Sequence, residues 1–196
     1  MYLFFDTETT GKPKRYDAPI SDVDNYPRLV QLGFIVVEDR EILLEQEFIV
    51  KPVGFEIPAE VSLIHGITNE KALADGEDLE TVVRIFDLWI QQCDTIIGHN
   101  VSFDLCVFGA EYWRLYQKDP FEGKKSVCTM KSSTNFCGIP SPFRTVRNSG
   151  QFKYPKLAEL YKKLFDTDMG AAHTALQDIR NTVRCYFELV ERGIIK

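Results

Sequence analysis

Residues 2–11 read Tyr2-Leu3-Phe4-Phe5-Asp6-Thr7-Glu8-Thr9-Thr10-Gly11, and the fold is decided there. The apolar run Tyr2 to Phe5 is rich in aromatics and is expected to form a buried strand. Side chains i and i+2 of a strand share a face, so Asp6 and Glu8 stand side by side, about 6–7 Å apart at the backbone. Two carboxylates on one face of a core strand repel each other and lose hydration. A divalent cation between them would remove both costs. The same pair would also suit a solvated strand end, and Asp-x-Glu recurs at Asp75/Glu77 and Asp78/Glu80. Thr9, Thr10 and Gly11 let the backbone approach whatever the acids hold.

Beyond Gly11, residues 12–28 carry Pro, Asp, Lys and Arg without periodicity. A structureless connection of that length is uncommon and is more often functional or mobile than filler. Leu29–Val37 is β-branched and apolar, a strand buried on both faces. A polar turn at residues 38–41 leads to an alternating strand over residues 42–51. These three strands are expected to pair antiparallel. Residues 52–76 suggest loop and short helical turns, among them His65-Gly66-Ile67-Thr68. Leu79, Val82, Val83, Phe86, Trp89 and Ile90 recur at helical spacing behind an Asp78 N-cap. Thr95–Gly98 forms a short central strand, and a helix with Phe103, Val107 and Phe108 follows His99-Asn100. Ser126–Cys128 suggests a fifth strand, and residues 138–154 a loop. A helix starts with Pro155 as its first residue. The last helix, from about residue 174 to 191, turns Leu176, Ile179, Val183, Tyr186, Phe187 and Val190 inward. The sum is an α/β fold, a mixed sheet of three antiparallel strands then two parallel to the first, in one domain over residues 1–196.

The composition is that of an ordinary globular chain, 44% hydrophobic and 27% charged. No run approaches a membrane span, and the start lacks the basic region of a signal peptide. Five cysteines, an odd number without Cys-x-x-Cys spacing, fit reduced thiols in the cytoplasm. The net charge of −6 hides an asymmetry: residues 113–163 carry +8 and the rest −14. A basic segment on an acidic body could steer a phosphate backbone, or could be a solvated surface. Within it, residues 143–156 interleave Phe143, Phe152 and Tyr154 with Arg144, Arg147, Lys153 and Lys156, a composition suited to single-stranded nucleic acid or to a basic loop.

Asp104 falls in the first turn of the helix after the central strand, where a carboxylate suits the helix terminus and open α/β sheets gather ligands. His173 and Asp178 stand five residues apart, roughly 140° on a helical wheel, so one helix cannot aim both inward. His173 therefore belongs to the preceding loop and Asp178 to the helix, on the flank of its apolar stripe beside Thr182 and Cys185.

Three segments occur in order: Asp-Thr-Glu-Thr-Thr-Gly, Gly-His-Asn-Val-Ser-Phe-Asp and His-Thr-Ala-Leu-Gln-Asp. In this the chain resembles the DEDDh, or DnaQ-like, 3′→5′ exonucleases, which have a ribonuclease H-like fold. The resemblance covers residues 2 to about 190. It implies that Asp6, Glu8, Asp104 and Asp178 hold two divalent ions, Mg²⁺ or Mn²⁺, and that His173 is the general base. It implies further that Thr9, Asn100, Phe103 and His65 border the terminal nucleotides, although His65 and His99 are weighted toward structure. The expected substrate is a nucleic acid with a free 3′ end, single-stranded DNA before RNA. Polymerase association and a homodimer stay open. The rivals are an RNA-trimming relative and a catalytically silent nucleic-acid-binding module. The chain also ends soon after its last helix, a weak reason to expect a free-standing enzyme.

Overall fold

The computed structural model describes residues 1–141, 152–170 and 175–196. Its centre is one five-stranded sheet of order β3-β2-β1-β4-β5. β1 (Tyr2–Thr9) pairs antiparallel with β2 (Leu29–Glu38), and β2 with β3 (Glu41–Ile49). The β2–β3 turn places both Asp39 and Arg40 at positive φ, the hand that matches strand twist in a tight hairpin. β4 (Thr95–Gly98) and β5 (Lys125–Cys128) join parallel to β1, as expected. The mixed α/β sheet read from the sequence is the observed one.

Strand alternation divides the core in two. Leu3, Phe5, Phe34 and Val36 face α3 (Leu79–Gln92) and α4 (Val101–Tyr116). Phe4, Ile35 and Val37 face α6 (Leu157–Phe165) and α7 (Ala175–Glu191). Both layers are completely apolar at their centres, which is why the central strands lack the polar alternation of a one-sided sheet. Two short helices, α1 (Ala59–His65) and α2 (Asn69–Asp75), pack beyond β2, where Val30 meets Ile57, Ile67 and Ala72. α3 begins where expected: Asp78 Oδ2 accepts the Glu80 and Thr81 amides at 3.0 and 3.3 Å.

Four expectations need correction. A helix, α5 (Thr129–Cys137), follows β5 directly, hidden in the sequence by its Ser, Thr and Asn content. Pro155 precedes the α6 N-cap, Lys156, whose amide donates to Glu159 Oε2 at 2.7 Å. α7 buries a wider face than its apolar stripe: Ile179, Val183 and Tyr186 are buried as expected, Asn181, Thr182, Cys185 and Leu189 are buried with them, and Leu176, Phe187 and Val190 are half-buried against the same core. Residues 12–28 are well tied despite their lack of periodicity, with a 3-10 turn at Val23–Asn25.

Phe86 stands where the first layer converges. Its ring lies 5.1 Å from Phe5, 5.0 Å from Phe34 and 4.7 Å from Phe108, centroid to centroid. Removing a fully buried ring costs transfer free energy plus a cavity. Phe86→Ala is expected to lower stability by about 3–5 kcal/mol, read as a fall in the urea midpoint at unchanged slope. A loss under about 1 kcal/mol would contradict this packing.

Candidate active site

Asp6 and Glu8 project from β1 on the Phe4 side, toward α7. Next to them the sheet ends early. β4 pairs with β1 only from Tyr2 to Phe4, so β1 runs on without a neighbour on that side. Asp104, from the first turn of α4, fills the gap. Its Oδ1 accepts the Thr7 amide at 3.0 Å and the Thr7 hydroxyl at 2.7 Å. Thus a carboxylate arriving from the opposite layer reaches the crevice beyond the end of a central strand, the ligand position of open α/β sheets.

Asp178 approaches from the other side, and a row of three residues explains how. Asp6 pairs with Gly33, and Gly33 with Glu47. A Cβ at Gly33 would lie 2.8 Å from Ile179 Cδ1 and 3.2 Å from Ala175 Cβ, so the bare backbone there lets α7 sit close, and a side chain would make Ile179 and Ala175 shift. Glu47 Oε1 accepts the Leu176 amide at 3.2 Å, satisfying one of the free N–H groups at the start of α7. Two residues along β3, Glu45 receives Arg180 Nε at 3.1 and 3.2 Å. The edge strand therefore holds the helix on both sides of Asp178. Glu47 was missed by sequence reasoning. Its only signal was that it shares a strand face with Glu45, which resembles ordinary alternation.

The electrostatics show which acids meet. Burial raises Asp6 well above its ordinary range, and the charges of Asp104, Glu8 and Asp178 push it further. Glu8 is pushed up to about 7, by burial first and then by Asp178 and Glu47. Asp104 is also raised to about 7 by burial, against its Thr7 hydrogen bonds, with a smaller push from Glu8. Four carboxylates from three distant segments thus feel one another, and among the described residues no basic group contributes to the shifts of Asp6, Glu8 or Asp104. Among the described residues, no three or more His, Cys, Asp or Glu side chains are already spaced to hold a metal ion. Carboxylates that repel hold one another apart, and a cation would reverse that force. The donor set, all oxygen, fits hard divalent cations such as Mg²⁺ or Mn²⁺.

The Thr9 hydroxyl donates to the Gly11 carbonyl at 2.7 Å, fixing the turn after β1. His65 ends α1; its Nδ1 accepts the Ile67 amide at 3.1 Å, and burial lowers its pKa while the Thr9 backbone beside it raises it. Asn100 adopts a left-handed conformation, φ 75°, which an Asn tolerates between β4 and α4. Phe103 is half-buried and lines a cavity with Asn100. His99 is held at both ring nitrogens, by Thr129 Oγ1 and by the Pro155 carbonyl, each at 3.0 Å, so it is a structural clamp. His173 lies outside the described residues, as do Phe143, Arg144 and Arg147. In the rest of that aromatic–basic stretch, Tyr154 is exposed and Lys153 is paired with Glu159 at 2.6 Å.

A ribonuclease H-like sheet with acids gathered at the end of its central strands defines the class, the DnaQ-like 3′→5′ exonucleases. A family model described as exonuclease, of the RNase T group, matches residues 3–186, and the chain belongs to that family. Over 98% of its length it is 26% identical to the PolC-type DNA polymerase III of Bacillus subtilis, of which it spans only 12%. The structure resembles E. coli exonuclease I in complex with a dT13 oligonucleotide, at a TM-score of 0.72 and 20% identity, over 97% of this chain and 40% of that one. It also resembles the zinc-bound form of the same enzyme with single-stranded DNA, at a TM-score of 0.71 and 21% identity, over the same shares of the two chains.

The raised carboxylates tie stability to pH. Their folded pKa values, about 7 for Glu8 and Asp104, lie above the unfolded ones, so the folded state holds the extra protons. Their contribution is complete at low pH and is lost as pH rises through about 7. His65 and His99, both lowered by burial, pull the other way as pH falls below about 6.5. In chelator the melting temperature is therefore expected to fall between about pH 6.5 and 8. Mn²⁺ or Mg²⁺ at pH 8 should restore it, and should do less at pH 6. A melting temperature indifferent to both pH and cation would contradict the cluster. Glu47→Ala should weaken that cation-induced rise by freeing the start of α7, and Glu47→Gln, which keeps an acceptor oxygen, should preserve most of it. Equal rises in all three proteins would remove Glu47 from any part in placing Asp178.

Proposed function

We propose that the chain is a metal-dependent 3′→5′ exonuclease that releases nucleoside 5′-monophosphates from single-stranded DNA, and that residues 1–196 form one such domain. The observation that supports this reading is the gathering of Asp6, Glu8 and Asp104 with Asp178 in one crevice, where burial and one another's charge raise Asp6, Glu8 and Asp104 above the ordinary carboxylate range. Such an arrangement stabilises nothing by itself and makes sense as a cation receptor. Divalent ions held there would acidify a water and stabilise charge on the phosphate and the leaving 3′-oxygen.

The protein's own groups divide the remaining work. Thr7 orients Asp104 through two hydrogen bonds to one oxygen, leaving the other oxygen for the crevice. Gly33, Glu45 and Glu47 orient Asp178 through its helix. His173, by the family resemblance, accepts the proton of the attacking water, a task suited to neutral imidazole near pH 7. Thr9, His65, Asn100 and Phe103 would border the terminal nucleotide. Single-stranded DNA is favoured because the exonuclease I structures were obtained with such oligonucleotides. Association with a polymerase is suggested only by the PolC-type relatives, in which the matching part is a small fraction. Of the membrane, the structure says only that no described helix is long and apolar enough to cross one.

Digestion of 5′-labelled DNA and RNA oligonucleotides tests the reading. The expected result is a ladder shortening from the 3′ end with Mg²⁺ or Mn²⁺, none with chelator, and slower loss of RNA. Equal cleavage of circular DNA would overturn it. Asp6→Ala and His173→Ala should each lower turnover on the order of a thousandfold or more while the fold survives. Parent-like turnover in either would remove that residue from the site.

A further inference from the structure

We propose that a cavity between the 12–28 segment and the start of α4 is a subsite for one unpaired nucleotide of the substrate strand, with its base against Tyr16 and its phosphate at Lys131. This rests on the reading of the chain as a nuclease, and it gives the long segment after β1 a task. The cavity holds about 310 Å³ and is lined by Pro13 and Tyr16 on one side, by Asn100, Phe103 and Cys106 on the other, and by Lys131 from α5. That volume is at the low end of small-molecule sites, room for one nucleotide and not for a base pair. Asn100 caps α4 and Phe103 immediately precedes Asp104 on it, so the cavity and the acidic crevice share the start of one helix.

The Tyr16 wall is built to stay in place. Lys14 donates its amide to the Asn25 carbonyl at 2.9 Å. The Arg15 amide and carbonyl both bond the Asn25 side chain at 2.9 Å, and the Tyr26 hydroxyl donates to the Ala18 carbonyl. Tyr16 thus sits between two pinned positions. Below it, Glu111 on α4 is fully buried. It accepts from Arg28 Nε at 2.8 Å and from the Leu29 amide at 3.0 Å, and pairs with Arg114 at 3.1 Å. Arg114 in turn reaches the Val23 and Tyr26 carbonyls. A buried carboxylate is tolerated only with such partners, and here they fasten the segment to the helix across the cavity.

Against that rigid support, Tyr16 is 70% exposed. An aromatic ring held out in water at a cavity mouth contributes little to folding. It is suited to stacking, which accepts any base and requires that base to be unpaired. Lys131 is exposed at the start of the adjacent helix, where an ammonium can meet a phosphate.

The test uses the full chain with Tyr16→Ala, Tyr16→Phe and Lys131→Ala. Steady-state kinetics on a labelled single-stranded oligonucleotide are read together with its dissociation constant, measured by anisotropy in chelator. Tyr16→Ala should raise both KM and Kd about five- to tenfold, with kcat nearly constant. Tyr16→Phe should behave as the parent, because stacking needs the ring and not the hydroxyl. Lys131→Ala should weaken binding and reduce its salt slope by about one. Unchanged KM and Kd in Tyr16→Ala, or a fall in kcat alone, would overturn the subsite. A parent that binds the strand without hydrolysing it would instead defeat the nuclease reading, and the binding arm would still judge the subsite.

Discussion

Like charge held together in a place that water does not fully reach is the constraint on which this structure depends. Asp6, Glu8, Asp104 and Asp178 each raise the cost of ionising another of the set. Left to themselves they would separate, so the scaffold has to supply the force that keeps them near. It does so by different means on each side. β1 fixes the first two by strand geometry alone. Asp104 is held by an unpaired edge of that strand, through Thr7. Asp178 is held at second hand, because its helix is seated on Gly33 and fastened by the edge strand through Glu45 and Glu47.

The two layers of the core make this convergence possible. α4 and α7 lie on opposite faces of the sheet, and side chains on opposite faces do not ordinarily meet. They meet here because β4 is short. Its last residue, Gly98, is followed at once by the turn through Asn100 into α4, while β1 continues to Thr9. The missing length of β4 is the opening through which Asp104 passes. A longer β4 would pair with Thr7, remove the donor that orients Asp104, and close the crevice.

Much of this was legible in the sequence wherever a single period carried the information. The strand parity of Asp6 and Glu8, the N-cap at Asp78 and the place of Asp104 at a helix start all follow from local spacing. What escaped was carried by partners distant in sequence. Glu47 is informative only once Gly33 and Leu176 are known to be its neighbours. α7 buries Asn181, Thr182 and Cys185 together with Ile179, Val183 and Tyr186, because it lies across β1 and β2 with α6 beside it, and covers more of its surface than an apolar stripe marks out. The 12–28 segment has no periodicity because its order comes from side chains bonding to backbone, as Asn25 does with Arg15, and such bonds leave no repeating signature.

Charge composition needs the same discounting. The segment with a net +8 suggests a broad basic track, yet Lys153 and Lys162 are paired with Glu159 and Asp168, and Lys124 donates to the Gln91 and Cys93 carbonyls. Paired surface charges still contribute to the long-range field, but each offers a phosphate less than an ammonium facing open water does. A strand approaching the acidic crevice meets four carboxylates that repel its backbone. Attraction must then come from cations in the crevice and from a few basic groups close to it, not from net charge at a distance. Lys131, two residues beyond the Thr129 that bonds His99, lines the cavity with Asn100 and Phe103, and for a strand in the proposed subsite its position outweighs the sum over the segment.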